Sequence, residues 1–542
     1  MTEKGGGSAS AGIPVRAVCV SRTGARTPTP AEEAITQHLD ATGTIPGARR
    51  PGPPTSRPPR AAGRWRRAAP VAVPALAALA LGLWGIERQD SMWRDESVTY
   101  QVAHRSPAEL WGLLGHIDAV HGLYYLLMQA VFAGWDGGLT ALRLPSVLAT
   151  ALAAAGVGAI GARLAGRRAG TLAGLVLAVL PIIQQYAQEG RSYALVTAGV
   201  TWATYFFLRA TADSRARWWT AYALTLYVAS WLHEFAALAL LAHGLTLWRS
   251  RPARADVRRW ALAAAGVGAG LLPLAVVSAG QAEAQLGWLG RPGLGAWALF
   301  LGLSAAAALL CRLLVRTGAP GAVALTRLAL PLLIAPAGLL MTISLVKPWY
   351  VDRYVLYGAT GLALPAGAAL SWAIGQRHRL APPARTLTAC LAAGTAVAVL
   401  LPWSLLVRSP ESRKDDVVAV ARTVDDQAHQ GDGVLFMPAR RREWLLSFPE
   451  VYDRLDDLAL AESPTASRTL HGTERDAAAI HRRILAADRV VALTDPPGQP
   501  LDPFPQEEVK RRTLSTHFEV CERTRVQGAQ IIVYARPGRC TP

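Results

Sequence analysis

Residues 121–135 read HGLYYLLMQAVFAGW, and whether this stretch crosses a membrane decides how the rest of the chain is arranged. As a helix at about 1.5 Å per residue it reaches only about 22 Å, short of a hydrocarbon core of roughly 30 Å. The chain around it is built for lipid. Of 542 residues 51% are hydrophobic and 17% charged, mean hydropathy is +0.22, and runs of Ala, Leu, Gly and Val recur from about residue 70 to about 408. That composition marks a mainly α, polytopic helical membrane protein.

Arginine clusters set the topology, because cytoplasmic loops collect them. They stand at Arg64, Arg66 and Arg67; Arg163, Arg167 and Arg168; and Arg209, Arg215 and Arg217. Others stand at Arg249, Arg251, Arg254, Arg258 and Arg259; Arg312, Arg316 and Arg327; and Arg377, Arg379 and Arg385. If all six are cytoplasmic, neighbouring clusters are joined by an even number of spans. Three apolar stretches separate the first two clusters, at about 70–86, 121–135 and 141–162, so one cannot cross. The short one is expected to lie along the outer interface, where its tyrosines and Trp135 suit the headgroup level. The rest pair off into about eleven spans, with the N-terminus cytoplasmic and the C-terminus outside.

The net charge of +18 and pI of about 10.3 therefore belong to topology, and no nucleic-acid partner is expected. Residues 1–69, rich in Gly, Pro, Ala, Thr and Arg, read as a disordered basic cytoplasmic tail. Residues 70–408 form the membrane domain. Residues 409–542 read as an extracytoplasmic α/β domain, with helices through SRKDDVVAVARTVDDQAHQ and RDAAAIHRRILAA and strands at GVLFMPA, RVVALT and AQIIVYA. Of five cysteines, none stands in a zinc-like spacing. Cys521 and Cys540 fall in an oxidising compartment, where they can pair.

With the topology set by arginine alone, the other conspicuous polar groups fall on one face. WRDES (Arg94, Asp95, Glu96) and HIDAVHGLYY (His116, Asp118, His121) lie in the first outer loop, and QQYAQEGRSY (Glu189, Arg191, Tyr193) in the second. SWLHEF (His233, Glu234) forms the third outer turn, and KPWYVDRYVLYG (Lys347, Tyr350, Asp352, Arg353, Tyr354) the fifth. Singly, each has an ordinary reading as an interfacial acid, a turn or a membrane anchor. Their convergence, with acids early in the chain and cations late, has a chemical one. Sugar transfer from a lipid-phosphate donor needs a carboxylate to take the acceptor hydroxyl's proton and cations to hold the departing phosphate. A phosphate leaves without a proton donor, so one base and a positive clamp suffice.

In these motifs the chain resembles the GT-C glycosyltransferases, in the group of protein O-mannosyltransferases and aminoarabinose lipid A transferases. Asp95 and Glu96 in WRDESVTY match that family's acidic motif after span one, RLPSVL stands at Arg143–Leu148, QEGRSYAL at Gln188–Leu195, and DRY at Asp352–Tyr354. The likeness covers residues 70–410 and implies a GT-C-like domain performing inverting transfer from a polyprenyl-phosphate sugar. The transfer would occur at the outer face of the cytoplasmic membrane, to a protein, lipid or glycan hydroxyl. Asp95 is the candidate base, Glu96 its neighbour or part of the acceptor site, and Asp118 the second acid. Arg191, Lys347 and Arg353 are candidates for the phosphate clamp, and His121, Glu189, His233, Tyr350 and Tyr354 for the donor's sugar or phosphate. Mannose or another hexose is the implied sugar. No cofactor is required and no metal site is expected; some members use a divalent metal, which Asp95, Glu96 and Asp118 could in principle hold. DAVHGLYY replaces the His-Pro-Pro type of sequence typical of the protein mannosyltransferases.

The competing readings are a transporter or flippase of lipid-linked sugars and a catalytically silent surface-assembly protein. A transporter places ionisable groups near mid-membrane and often shows internal repeats. The spans here carry almost no charge and no repeat is visible.

Overall fold

The computed structural model describes residues 60–540 except 214, 288 and 378–380. Residues 1–59 of the expected tail lie outside the described residues, as do the side chains of Arg64, Arg66, Arg379 and Arg385. Residues 60–69 of that expected tail are helical, the opening turns of α1 (Arg60–Leu83).

Three short helices follow: α2 (Arg94–Ala103), α3 (Pro107–Leu114) and α4 (Gly122–Gly134). The last is the stretch too short to cross. Tyr124, Tyr125, Met128 and Phe132 form its buried face, and Leu126 is exposed. Next come α5 (Gly138–Ala165), α6 (Arg167–Val179), α7 (Pro181–Ala187), α8 (Tyr193–Asp213), α9 (Ala216–Leu232) and α10 (Ala239–Arg249). The helical part ends with α11 (Arg254–Leu286), α12 (Leu294–Arg316), α13 (Ala322–Ile343), α14 (Ala359–Gln376) and α15 (Pro382–Leu406). Among the described residues six stretches are long and apolar enough to cross a membrane, namely α5, α11, α12, α13, α15 and α14 together with the helical turn before it (Asp352–Gln376), and a seventh arises if α6 and α7, bent by 66°, form one span. The remaining spans of the expected eleven would have to come from α1, α8, α9 and α10, which fall short of that standard in length or apolarity.

Between α5, α6 and α14 the helices meet backbone to backbone, as small residues permit in membrane bundles. A methyl group on Gly170 would lie 2.3 Å from the Gly158 carbonyl, and one on Gly367 would lie 2.2 Å from the Ala173 nitrogen. Around this centre sits one apolar core of mostly alanine, leucine, valine and aromatic side chains. By contrast α15 is almost bare, only 6% of its apolar window being buried.

The C-terminal part is a small α/β unit. In it run α16 (Val417–Gln427), β1 (Gly433–Met437), α17 (Pro449–Tyr452), β2 (Asp456–Asp457), β3 (Leu460–Glu462) and β4 (Thr473–Glu474). Then follow α18 (Ala477–Ala486), β5 (Arg489–Thr494), α19 (Pro505–His517), β6 (Glu519–Val526) and β7 (Ala529–Ala535). The five-stranded sheet has the order β2-β1-β5-β7-β6. β1 is parallel to β2 and β5, whereas β7 is antiparallel to both its neighbours. Both faces are covered, as expected of continuous apolar strands: Val434 and Phe436 pack with α16, and Leu435 and Met437 with α18 and α19. Of the five predicted elements all appear. β6 and α19 escape the pattern because β6 is a charged edge strand (EVCERTRV) and α19 is mostly polar, with only Val509 and Leu514 turned to the core (PQEEVKRRTLSTH). Cys521 on β6 is bonded to Cys540.

This unit is fastened to the helices through residues 408–417. Arg408 donates to the Trp84 carbonyl (2.8 Å) and Gln184 Oε1 (3.0 Å), its guanidinium 4.1 Å from the Trp84 ring centroid. Val417 N donates to the Met92 carbonyl at 2.6 Å, Asp415 Oδ1 accepts from Arg94 N at 2.8 Å, and the Ser97 and Ser447 hydroxyls meet at 2.7 Å. Thus α2 is gripped from one side by the sheet unit.

From the other side it is gripped by charge. Glu96 is fully buried and lies between two fully buried arginines. Arg143 donates through Nε to Oε1 (2.7 Å) and through Nη2 to Oε2 (2.8 Å), Arg88 Nη1 donates to Oε2 (3.2 Å), and Gly190 N donates to Oε1 (3.0 Å). Burial by itself would raise the carboxyl's proton affinity. The Arg143 and Arg88 charges more than reverse this and hold it well below the usual carboxylate range. Four segments are thereby joined: the α1–α2 connection, α2, α5 and the α7–α8 loop.

Removing the carboxylate strands two buried guanidinium groups, a loss on the order of 3–5 kcal/mol. Glu96→Ala is therefore expected to lower the Tm of the detergent-solubilised protein by more than about 5 °C. An unchanged Tm would show that the trio does not hold α2.

Candidate active site

Asp95 and Glu96 open α2, where acidic residues favour the positive helix end. Successive helical residues point about 100° apart, so neighbouring carboxylates diverge. Glu96 turns inward to the arginine pair, and Asp95, its side chain 20% exposed, turns to a partly open face. There Asp95 Oδ2 lies 3.6 Å from Arg353 Nη2, and its other oxygen 3.8 Å from Arg94 Nε.

Arg353 comes from the short helical turn at Asp352–Gly358 that precedes α14. Its Nε donates to the Tyr193 hydroxyl at 3.1 Å, and its guanidinium is ringed by Trp93, Tyr193 and Tyr354 at 5.6–5.9 Å. Arg191 arrives from the α7–α8 loop. Its Nη1 faces the Asp95 carbonyl (3.5 Å), Thr99 Oγ1 (3.3 Å) and the Tyr125 hydroxyl (3.4 Å), while its Nε is buried without a partner in the protein. One carboxylate and two guanidinium groups are thus brought to the same place from three distant segments.

Asp118 joins through Tyr125, whose hydroxyl donates to Oδ2 at 2.6 Å, and Gln285 Nε2 donates to Oδ1 at 2.9 Å. Its φ of 62° is left-handed, a conformation aspartate tolerates better than most. Burial raises its proton affinity, opposed by Arg191 and the Tyr125 hydrogen bond.

His121 and His233 add an aromatic wall: His233 lies 4.5 Å from Tyr354, 5.8 Å from Tyr193 and 5.9 Å from His121 between ring centroids. Burial, then the Arg191 charge, keeps both neutral, with His233 lowered to about 3. Each has a buried Nδ1 without a partner in the protein.

Glu189 is set deeper. Its carboxylate, 1% exposed, faces Arg413 Nε at 3.5 Å and makes no hydrogen bond within the protein. Two other sequence candidates stand at the margin. Tyr350 is half-buried and donates its backbone N–H to Ser344 Oγ at 2.7 Å. Lys347 is exposed, its ammonium over Trp349 at 5.8 Å rather than against Asp95.

Asp95, Glu96 and Asp118 do not share a site for a cation, since Glu96 and Asp118 have their oxygens engaged elsewhere. Among the described residues no group of three His, Cys, Asp or Glu side chains is placed to hold a metal ion. Sequence reasoning passed over Tyr125, Arg88 and Arg413, and it read Arg143 only as part of a motif. A lone arginine after a span looks like an interface anchor, and nothing local says that it is buried.

Residues 121–278 match the family model described as dolichyl-phosphate-mannose-protein mannosyltransferase. In fold the chain is similar to ArnT from Cupriavidus metallidurans in the apo state, at 13% identity over 87% of this chain and 98% of that one, with a TM-score of 0.55. The chain has the GT-C glycosyltransferase fold. A second structure of ArnT, bound to undecaprenyl phosphate, gives 14% identity over 87% of this chain and 99% of that one, with a TM-score of 0.49. No curated protein matches the sequence significantly. The matching family and the fold are those of membrane glycosyltransferases, and the enzyme class expected from the sequence stands on them. The multi-pass membrane character rests on the same fold and on its apolar helices.

Glu189 supplies a pH test. Burial raises its pKa to about 7; Arg413 opposes the shift and Glu96 adds to it. The folded protein then keeps a proton that the unfolded chain releases near the ordinary glutamate value of about 4.3. The resulting stabilisation is full below that value and is lost as pH rises through about 7. Tm measured between pH 4 and pH 8 is expected to show Glu189→Gln gaining on the wild type as pH rises. Parallel curves would contradict the shift.

Proposed function

We propose that the chain is an inverting glycosyltransferase that moves a sugar, mannose or another hexose, from a polyprenyl-phosphate donor to an acceptor hydroxyl at the outer face of the cytoplasmic membrane. In this reading the N-terminus is cytoplasmic, residues 70–408 are the transferase body, and residues 409–542 form an extracytoplasmic domain. The observation that carries it is the Asp95 carboxylate 3.6 Å from Arg353 with Arg191 against the same turn of α2, in a fold of this class and beside a segment matching a polyprenyl-phosphate mannose family.

The chemistry follows from the groups present. Asp95 accepts the proton of an acceptor hydroxyl as its oxygen attacks the anomeric carbon from the face opposite the phosphate. The C–O bond to the phosphate breaks with its electron pair on the departing oxygen, and Arg353 and Arg191 stabilise the negative charge as it grows. No acid is needed for that leaving group. Neutral His121 and His233 can both donate and accept hydrogen bonds, which suits sugar hydroxyls, and the buried Tyr193 and Tyr354 hold Arg353 in place from the protein side. Glu96 is a positioning residue that fixes the direction of Asp95. Asp118 holds Tyr125, and through it Arg191. Glu189 is buried against Arg413, and Tyr350 and Lys347 stand at the margin rather than at the reacting centre.

A transporter gains nothing from a carboxylate so placed. In membranes given radiolabelled polyprenyl-phosphate mannose, and then other polyprenyl-phosphate sugars, wild-type protein is expected to transfer label, and Asp95→Asn to lower the rate about 10²–10⁴-fold. Equal transfer by a folded Asp95→Asn would overturn the base assignment, and no transfer from any donor would overturn the enzyme reading.

A further inference from the structure

The sheet unit contains a crevice that the transfer chemistry does not use. β1 and β5 end level with each other, Met437 opposite Thr494, and the segments that follow them, tied by Arg440 and Arg441 to Asp495, leave a space at the strand ends. Carboxyl ends of parallel strands are where open α/β sheets take ligands. Here they enclose a cavity of about 230 Å³ lined by Pro438, Thr494, Glu507, Arg511, Gln530 and Tyr534, among others. That is below the roughly 300–1,000 Å³ of pockets for drug-sized ligands and matches a ligand of about one sugar ring.

Two of its lining residues carry unpaired acceptors. Glu507 is 3% exposed; Oε1 accepts from Ala439 N (3.0 Å) and Lys510 Nζ (2.9 Å), while Oε2 is buried with no partner in the protein. Gln530 is 5% exposed; its Nε2 donates to the Asp495 carbonyl (2.9 Å), and its Oε1 is likewise buried and unpartnered. Buried polar atoms are nearly always paired, so two unpaired acceptors on one cavity call for a ligand that donates hydrogen bonds.

A second cavity of about 190 Å³ shares Asp495, Pro496 and Gln499 with the first and is lined further by Arg94, Asp415, Arg440 and Arg441. On its wall the requirement is reversed: Arg441 engages Asp495 through Nε and Nη2, while its buried Nη1 has no partner in the protein. Arg94 in this lining is the residue next to Asp95. The two cavities therefore adjoin across Asp495, Pro496 and Gln499, the one at the sheet offering acceptors and the other, at the start of α2, a donor. Hydroxyls meet both demands. An anionic ligand would meet the Glu507 carboxylate in the first chamber.

We infer that this crevice is a glycan-binding subsite of the sheet unit, holding a hydroxyl-bearing sugar of the acceptor farther along the glycan from the one that reacts at Asp95. Only the identity of the ligand as acceptor rests on the proposed transferase reading; the crevice's preference for sugars stands apart from it.

The test is binding, measured without transfer. The full-length detergent-solubilised protein is titrated by saturation-transfer NMR with methyl glycosides and disaccharides of mannose, glucose, galactose, arabinose and N-acetylglucosamine. At least one is expected to bind wild type and Asp95→Asn equally. Its affinity should fall at least five-fold in Gln530→Met, which removes an acceptor, and in Pro496→Trp, which fills the wall between the chambers. Gel filtration and Tm confirm that each variant is folded. If no saccharide binds wild type, or either folded variant binds as well as wild type, the subsite is excluded. Failure of the radiolabel assay alone would instead count against the transferase reading.

Discussion

Everything at the candidate site depends on one buried carboxylate held by two buried arginines. Removing charge from water is costly, and an ion pair in a low-dielectric interior repays this only with good geometry and satisfied hydrogen bonds. Glu96 has both: a two-pronged contact from Arg143, a second cation in Arg88 and a backbone N–H from Gly190. These partners come from α5, from the α1–α2 connection and from the α7–α8 loop. The trio sets where α2 begins and how it is rotated. Given that rotation, Asp95 cannot follow Glu96 inward and instead faces Arg353. One member of the acidic pair supplies the scaffold, and the other is left for chemistry.

The same logic runs through the charge distribution. The α7–α8 loop carries Glu189, Gly190 and Arg191 in succession, and each faces a different neighbour: Arg413, Glu96 and the Asp95 turn. The linker into the sheet unit then adds Asp415 at Arg94 N. Movement of the sheet unit would consequently be felt at the first turn of α2, within one residue of Asp95.

Much of this was legible in the sequence, for reasons that can be named. Apolar length and arginine clustering are large, repeated signals, and they yielded the helical membrane body, the short helix at 122–134 and the convergence of polar loops. The strands GVLFM, RVVALT and AQIIVYA were readable because buried strands are continuous apolar runs. Less was legible where meaning lies in pairing. DE, RLPSVL and QEGRSYAL were each visible as motifs, but no local pattern says that Arg143 in the second clasps Glu96 in the first while Gly190 in the third closes the contact. Nor does KPWYVDRYV reveal that Arg353 reaches Asp95 while Lys347 stays on the surface over Trp349. Such facts depend on helix rotation, which hydropathy does not encode.

In the proposed mechanism Asp95 faces a site for a lipid phosphate whose charge is met by Arg353. The most direct measurement is the affinity of the solubilised protein for polyprenyl phosphate itself, compared among wild type, Arg353→Ala and Asp95→Asn. Binding is expected to be at least ten-fold weaker in Arg353→Ala and equal or tighter in Asp95→Asn, where a negative neighbour of the phosphate has gone. Undiminished binding by a folded Arg353→Ala, or a loss on Asp95→Asn, would contradict it.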